Sequence, residues 1–223
     1  MKKAILFDLD GVLLDSMPYH VKAWQEIFAQ YEVKIELDEI YSREGTRTAD
    51  LAKYLAISHQ LELSENELKK LVQRKSKRYN EITKACVVSG VPELLEELKQ
   101  RSIFKAIVTS TFLENLLRVM TEEIFHKFDV VITGSDVTNG KPHPEPYLKA
   151  ATKLGLKSSD CVVVENAKIG VQSAKAAKMF CVGITSTQTE KQLKSANKIV
   201  PDIETIIEQL TTSKGRVHLA SCL

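Results

Sequence analysis

The chain has 223 residues, with 31 basic side chains against 29 acidic ones, a balance that excludes the broad positive field on which nucleic-acid binding depends. Hydrophobic residues at 43% and charged residues at 27% are the proportions of a soluble globular protein, long enough to bury a substantial core in one domain or two. No apolar run approaches the ~20 residues of a membrane helix, and the first apolar stretch meets two aspartates at once, unlike a signal peptide. The four cysteines (Cys86, Cys161, Cys181, Cys222) show no CxxC spacing. Reduced thiols, a cytoplasmic location and no membrane or nucleic-acid partner are therefore the expectation.

The first element is AILFDLDGVLLD, Ala4 to Asp15. Its apolar residues read as a strand buried on both faces, as in a parallel sheet. Asp8 and Asp10 interrupt that run, and buried carboxylates need a cation, a metal or a task; the bland alternative is a strand that ends in a solvated acidic turn. Gly11 marks a sharp turn where the backbone can approach a ligand closely. Helical patterns follow near Tyr19 to Tyr31, Leu37 to Arg43, Ala49 to Leu61 and Ser64 to Ile82, the last opened by a capping box of Ser64 with Glu67. Residues 16–84 hold almost no strand pattern and read as a helical insertion, which leaves 1–15 and 85–223 as the core.

From Val88 the rhythm changes to alternation. Helix Pro92 to Arg101 precedes strand Phe104 to Thr109, and helix Leu113 to Met120 precedes strand Asp129 to Thr133. Helix Glu145 to Leu154 leads to strand Cys161 to Val164, helix Ile169 to Met179, strand Phe180 to Ile184, and short helices near Glu190 to Ala196 and Ile203 to Leu210. Strands that alternate with helices of this length predict an α/β fold, a Rossmann-like parallel sheet covered on both faces. Such sheets bind ligands beyond the carboxyl ends of their strands. Polar residues stand at those ends: Asp8 and Asp10 after the first strand, Thr109 and Ser110 after the second, Lys141 across a loop after the third, Glu165 and Asn166 after the fourth.

Together these residues suffice for phosphoryl transfer, which is mostly positioning and charge stabilisation. A carboxylate such as Asp8 can accept a phosphoryl group, and Asp10, on the same side of an extended strand, can serve as general acid and base. Thr109 and Ser110 offer phosphate-binding groups, and Lys141 offers a neutralising charge. Glu165 and Asn166 are hard oxygen ligands suited to Mg²⁺.

The segments FDLDGVLLDS (7–16), IVTS (107–110), GKPHPEPYL (140–148) and VVVENAKIGVQSAKAA (162–177) resemble, in order and spacing, the motifs of the haloacid dehalogenase superfamily. The resemblance spans nearly the whole chain and points to the branch of β-phosphoglucomutase-like enzymes and sugar-phosphate phosphatases. It implies a Rossmann-like core with a helical cap at 16–84, Asp8 as nucleophile, Asp10 as acid and base, Thr109 and Lys141 as phosphate binders. It also implies Mg²⁺ held by Asp8, the Asp10 carbonyl and the Glu165–Asn166 pair. Dehalogenases of the superfamily lack the second aspartate, so Asp10 favours phosphoryl transfer. Many relatives carry aspartate where this chain has Asn166; an amide brings no charge, so weaker metal binding is expected, with Glu165 compensating.

The cap segment DSMPYHVKAW resembles that of the mutases, which implies roles near the substrate for His20, Trp24, Gly45 and Lys75; for Trp24 the alternative is plain cap core, and for the other charged residues near Lys75 a solvated helix face. Where the mutases carry a serine-lysine-asparagine series this chain has Thr111-Phe112-Leu113, and their cap arginine aligns with Thr48, leaving Arg47 as a substitute. With the second phosphate site weakened, hydrolysis is favoured over return of the phosphoryl group to sugar. The expected function is a Mg²⁺-dependent phosphatase for a small phosphorylated metabolite (sugar phosphate first, phosphoglycolate second), with a phosphomutase as the alternative. A catalytically silent binding protein rests on Asn166 alone, and a phospho-accepting receiver domain would have no insertion of this size. A monomer is expected, and Lys214 to Leu223 fits no core pattern.

Overall fold

The computed structural model describes residues 2–212; the tail from Lys214 lies outside the described residues. Strand β1 (Ala4–Phe7) is followed by four helices, α1 (Met17–Ala29), α2 (Leu37–Tyr41), α3 (Thr48–Ser58) and α4 (Glu65–Ile82). Then come α5 (Val91–Gln100), β2 (Phe104–Val108), α6 (Leu113–Val119), α7 (Glu122–Phe125) and β3 (Val130–Ile132). The chain continues through α8 (Glu145–Lys153), β4 (Cys161–Glu165), α9 (Lys168–Ala176), β5 (Phe180–Ile184), α10 (Glu190–Leu193), β6 (Lys198–Val200) and α11 (Ile203–Thr212).

The six strands pair in the order β3-β2-β1-β4-β5-β6, all parallel. This is the Rossmann-type order, with its topological switch between β1 and β4. Phe7 pairs with Ile107 on one side and Val164 on the other, so Asp8, Val108 and Glu165 follow at the same level. Every residue of β1 is fully buried. Ile5 and Phe7 enter one apolar layer with Val162, Val164 and helices α5 and α11; Leu6 enters the other with Val163, Tyr147 and α9. This two-sided burial is why the strand lacks the polar alternation of a half-exposed one.

The helices α1 to α4 bury Trp24, Phe28, Leu51, Leu55 and Leu71 against one another in a third cluster. Each such side chain taken from water contributes about 1.5–3 kcal/mol, so the insert supplies its own core. Where it leaves and rejoins the sheet, Leu14 and Val87 form an antiparallel bridge, with Asp15 N–H donating to Cys86 at 2.9 Å and Val88 N–H to Leu13 at 3.0 Å.

Several element limits differ from those predicted. Helix α1 starts two residues early because Pro18 fits the first turn, where no N–H is required. Strand β6 and helix α7 had no prediction; at three and four residues they are too short to carry a period. The strand predicted for Asp129 to Thr133 pairs only over Val130–Ile132, since Asp129 is used by the Lys105 N–H at 2.7 Å and Thr133 starts a 3₁₀ turn. Cys161 and Cys181 are buried free thiols and Cys86 is an exposed one. No helix among the described residues is long and apolar enough to cross a membrane.

Candidate active site at the carboxyl ends of the central strands

The switch point between β1 and β4 carries a lysine held by two carboxylates. Lys141 Nζ lies 2.5 Å from Asp8 Oδ1 and 2.6 Å from Glu165 Oε1, and donates to the Val108 carbonyl at 3.1 Å. Its side chain is 1% exposed, and those of Asp8 and Glu165 are 7% and 0%. Burial alone would lower the lysine, but Asp8 and Glu165 outweigh it and hold it above its ordinary value. Burial pushes the Asp8 carboxyl up; Glu165 and Asp10 add to that, and Lys141 opposes it.

Asp10 is set in a different surrounding. Its Oδ1 accepts from Ser16 Oγ at 2.5 Å and meets His20 Nε2 at 3.1 Å, and its Oδ2 accepts from Thr111 Oγ1 at 2.8 Å. Burial would raise this carboxyl, but His20, with the Ser16 and Thr111 hydroxyls, holds it below the usual carboxylate range. Ser16 precedes α1 yet caps none of its N–H groups, the hydroxyl being used on Asp10 instead. Lys75 Nζ approaches His20 Nδ1 at 2.6 Å. An ammonium only donates, so Nδ1 accepts, and the ring proton sits on Nε2, facing Asp10. Tyr79 stacks on the imidazole, centroids 4.1 Å apart.

Lys75 is 3% exposed, and burial pushes it down to about 8, against the charge of Asp10. The folded chain thus binds fewer protons than the unfolded one between pH 8 and the ordinary lysine value of 10.5, and stability climbs with pH across that window. The cost below pH 8 is about 3 kcal/mol at most. Lys75→Met removes it while losing the bond to His20 and the contacts over the Trp24 and Tyr79 rings. The expected result is a net gain of about 1–2 kcal/mol at pH 7 and a flatter rise from pH 8 upward, read from urea unfolding at several pH values. A variant less stable than the parent at pH 7 would contradict this.

Of the residues singled out in the sequence, Asp8, Asp10, His20, Trp24, Gly45, Lys75, Thr109 and Ser110 line one cavity of about 60 Å³, together with Arg43, Glu44, Thr48 and Thr111. Small-molecule sites usually offer about 300–1,000 Å³, so this one stands closed. A groove of about 1530 Å³ between α3, α4 and α6 holds none of the strand-end carboxylates, and chemistry is assigned to the smaller cavity. The insert is held down by Ser110 Oγ donating to the Gly45 carbonyl at 2.7 Å and by Gln188 Nε2 donating to the Tyr41 carbonyl at 2.8 Å. Thr109 Oγ1 accepts from the Thr111 N–H at 3.0 Å, folding the loop after β2 over the strand ends. Trp24 both packs in the insert core and lines the cavity.

Three expectations change. Glu165, read from the sequence as a metal ligand, has both oxygens on protein donors: Oε1 on Lys141 and the Tyr147 hydroxyl (2.7 Å), Oε2 on the N–H groups of Asn166 (3.1 Å) and Ala167 (3.3 Å). Gly170 fits against this carboxylate, since a Cβ there would lie 1.8 Å from Oε1. Arg47 does not take the place of the mutase arginine: its guanidinium bonds Asp50 and the Thr138 carbonyl, outside the cavity, and Arg43 lines the cavity instead. Thr111 is used on Asp10 rather than left as a poor sugar contact.

The sequence reading missed Glu44, Thr187 and Gln188. The buried Glu44 carboxylate accepts from Asn166 Nδ2 and from Thr187 Oγ1, each at 2.7 Å, and burial pushes its carboxyl up to about 8. Thr187 and Gln188 follow β5, so the strand-end rule applied to one more strand would have found them.

Among the described residues no three His, Cys, Asp or Glu side chains are grouped as a metal centre. Asn166 Oδ1 is buried with no hydrogen-bond partner, a bare oxygen donor at the end of β4, and the Asp8 carboxylate stands at the end of the adjoining β1. One carboxylate with neutral oxygens fits Mg²⁺, which retains several waters when bound.

An open parallel sheet with buried carboxylates and a lysine at its switch point is a Rossmann-like framework with a polar site where such sheets bind ligands. Residues 5–184 match the haloacid dehalogenase-like hydrolase family, and the chain belongs to it. It is 31% identical over 208 residues to the validoxylamine A 7'-phosphate phosphatase of Streptomyces hygroscopicus subsp. limoneus, covering 91% of this chain and 95% of that one. It is 34% identical over 185 residues to a phosphorylated carbohydrates phosphatase of Thermotoga maritima, covering 78% and 81%. The crystal structure of β-phosphoglucomutase from Clostridium difficile superposes with a TM-score of 0.80 at 27% identity, covering 95% of this chain and 98% of the other.

Proposed function

We propose that the protein is a Mg²⁺-dependent phosphatase that hydrolyses a small phosphorylated metabolite, a sugar phosphate foremost, through a phosphoryl group carried on Asp8. The observation that supports it most is the division of the two aspartates: Asp8 faces Lys141, and Asp10 faces Ser16, His20 and Thr111. Asp8 attacks phosphorus, and the ester oxygen leaves with a proton that Asp10 passes on from His20 Nε2–H while Lys75 protonates His20 Nδ1. Asp10 then takes a proton from the water that opens the aspartyl phosphate, returning Asp8. Lys141 and the loop from Thr109 offset charge on the phosphoryl oxygens, and Glu165 keeps Lys141 in place. Mg²⁺ at Asp8, the Asp10 carbonyl and Asn166 would supply further charge neutralisation. The helices α1 to α4 act as a cap that excludes water while the first transfer occurs.

Hydrolysis is favoured over mutase chemistry because Phe112 and Leu113, which follow Thr111, carry no polar group and lie exposed outside the cavity, and Arg47 is tied outside it as well. The relatives named as a validoxylamine A 7'-phosphate phosphatase and a phosphorylated carbohydrates phosphatase support this. A panel of phosphorylated metabolites assayed with Mg²⁺ and with EDTA tests the reading. Release of inorganic phosphate from sugar phosphates, abolished by EDTA and restored by Mg²⁺, is expected. Conversion of β-glucose 1-phosphate to glucose 6-phosphate with a bisphosphate primer would replace it with the mutase, and metal-independent turnover would remove the Mg²⁺ assignment.

A further inference from the structure

Asn166 stands where two parts of the molecule meet. Its Nδ2 donates to Glu44 Oε1 at 2.7 Å and to Thr187 Oγ1 at 2.8 Å, and Thr187 Oγ1 donates to Glu44 Oε2 at 2.7 Å. Glu44 belongs to the helical insert, between α2 and α3, whereas Asn166 and Thr187 follow strands β4 and β5. The three residues therefore close a ring that joins insert to sheet. Gly11 makes room for it: with φ +80, a Cβ there would lie 2.1 Å from Asn166 Nδ2 and 3.2 Å from Glu44 Oε1.

The other end of the amide is bare. Asn166 Oδ1 is buried without a hydrogen-bond partner, a state that costs about 1–3 kcal/mol unless something absent from the structure meets it. An aspartate at 166 could not make this ring. It has no NH₂ group to donate to the Glu44 and Thr187 oxygens. Asn166 and Glu44 are thus matched: the amide supplies the donor that both Glu44 and Thr187 accept from, and Glu44 brings the insert down onto it.

We propose that Asn166 is a two-sided positioning residue, its Oδ1 taking the divalent cation while its NH₂ holds Glu44, so that cation binding and docking of the insert are one coupled event. The inference rests on the Mg²⁺ reading given above. A cation on Oδ1 polarises the amide and makes Nδ2 a stronger donor to Glu44. By reciprocity a docked Glu44 tightens the cation, and coupling of this kind is typically 5–150-fold.

The test is Mg²⁺ titration by calorimetry, with hydrogen–deuterium exchange of residues 40–47, on the parent chain, Glu44→Gln and Asn166→Asp. In the parent, saturating Mg²⁺ is expected to slow exchange in that segment about fivefold or more. Glu44→Gln is expected to bind Mg²⁺ about tenfold more weakly with less protection. Asn166→Asp is expected to bind Mg²⁺ more tightly than the parent yet show no Mg²⁺-dependent protection of 40–47. A purely structural latch would leave protection independent of Mg²⁺. Mg²⁺ bound by the parent without protection, or bound by Glu44→Gln within twofold of the parent, would overturn the coupling alone. A parent chain that binds no Mg²⁺ would overturn the metal reading and the coupling together.

Discussion

Asp8→Asn is expected to lower turnover of the best phosphorylated substrate by about 10⁴-fold or more, the range seen when a covalent nucleophile is removed. The amide presents no anionic oxygen to phosphorus, so no aspartyl phosphate forms. The fold should tolerate the change. Lys141 keeps Glu165 at 2.6 Å and the Val108 carbonyl at 3.1 Å, so its charge stays paired. Burial already penalises the ionised Asp8, and removal of that charge offsets the lost ion pair. Single-turnover assays beside urea unfolding separate the two effects: activity gone with stability within about 1 kcal/mol of the parent. Turnover within tenfold of the parent would show that Asp8 is not the nucleophile. Unfolding of the variant would show that the carboxylate is needed for structure.

What could be read in the sequence followed from how strongly each local pattern was constrained. Strand β1 was legible because an apolar run this short, closed by two aspartates and Gly11, fits a strand covered on both faces. Helix α4 was legible to the residue at its start because Ser64 and Glu67 satisfy each other's backbone donors. Strand β6 was not, because its three residues begin with a lysine at the sheet edge. In the site, the carboxylates and hydroxyls at strand ends stood out against apolar runs. The role of Glu165 did not, since a carboxylate beside Asn166 reads equally as a metal ligand or a lysine partner until Tyr147 and Lys141 are seen on the same oxygen. Glu44 was invisible for a different reason. In a helical insertion an acidic residue reads as solvated, and its partners lie 122 and 143 positions away.

The same reasoning makes Lys141 the residue on which the site's stability turns. Lys141→Met leaves Asp8 and Glu165 facing each other with side chains 7% and 0% exposed and no cation between them. Loss of one partner from a buried pair typically costs about 3–5 kcal/mol, and here two carboxylates are stranded. Part of the cost is avoidable by protonation. A carboxyl whose folded pKa lies above its unfolded value binds more protons in the folded state, so stability gained by taking up a proton grows as pH falls. The burial that already raises Asp8 acts on it in the variant without the opposing lysine. Lys141→Met should therefore be far less stable than the parent at pH 8, and the gap should narrow at pH 5, as read by urea unfolding at both values. Adding Glu165→Gln should restore part of the lost stability without restoring activity, because one stranded charge disappears while the phosphoryl oxygens still lack their cation. A loss under about 1 kcal/mol, or a gap that widens toward pH 5, would mean that Lys141 does not bear the charge of these two strand ends.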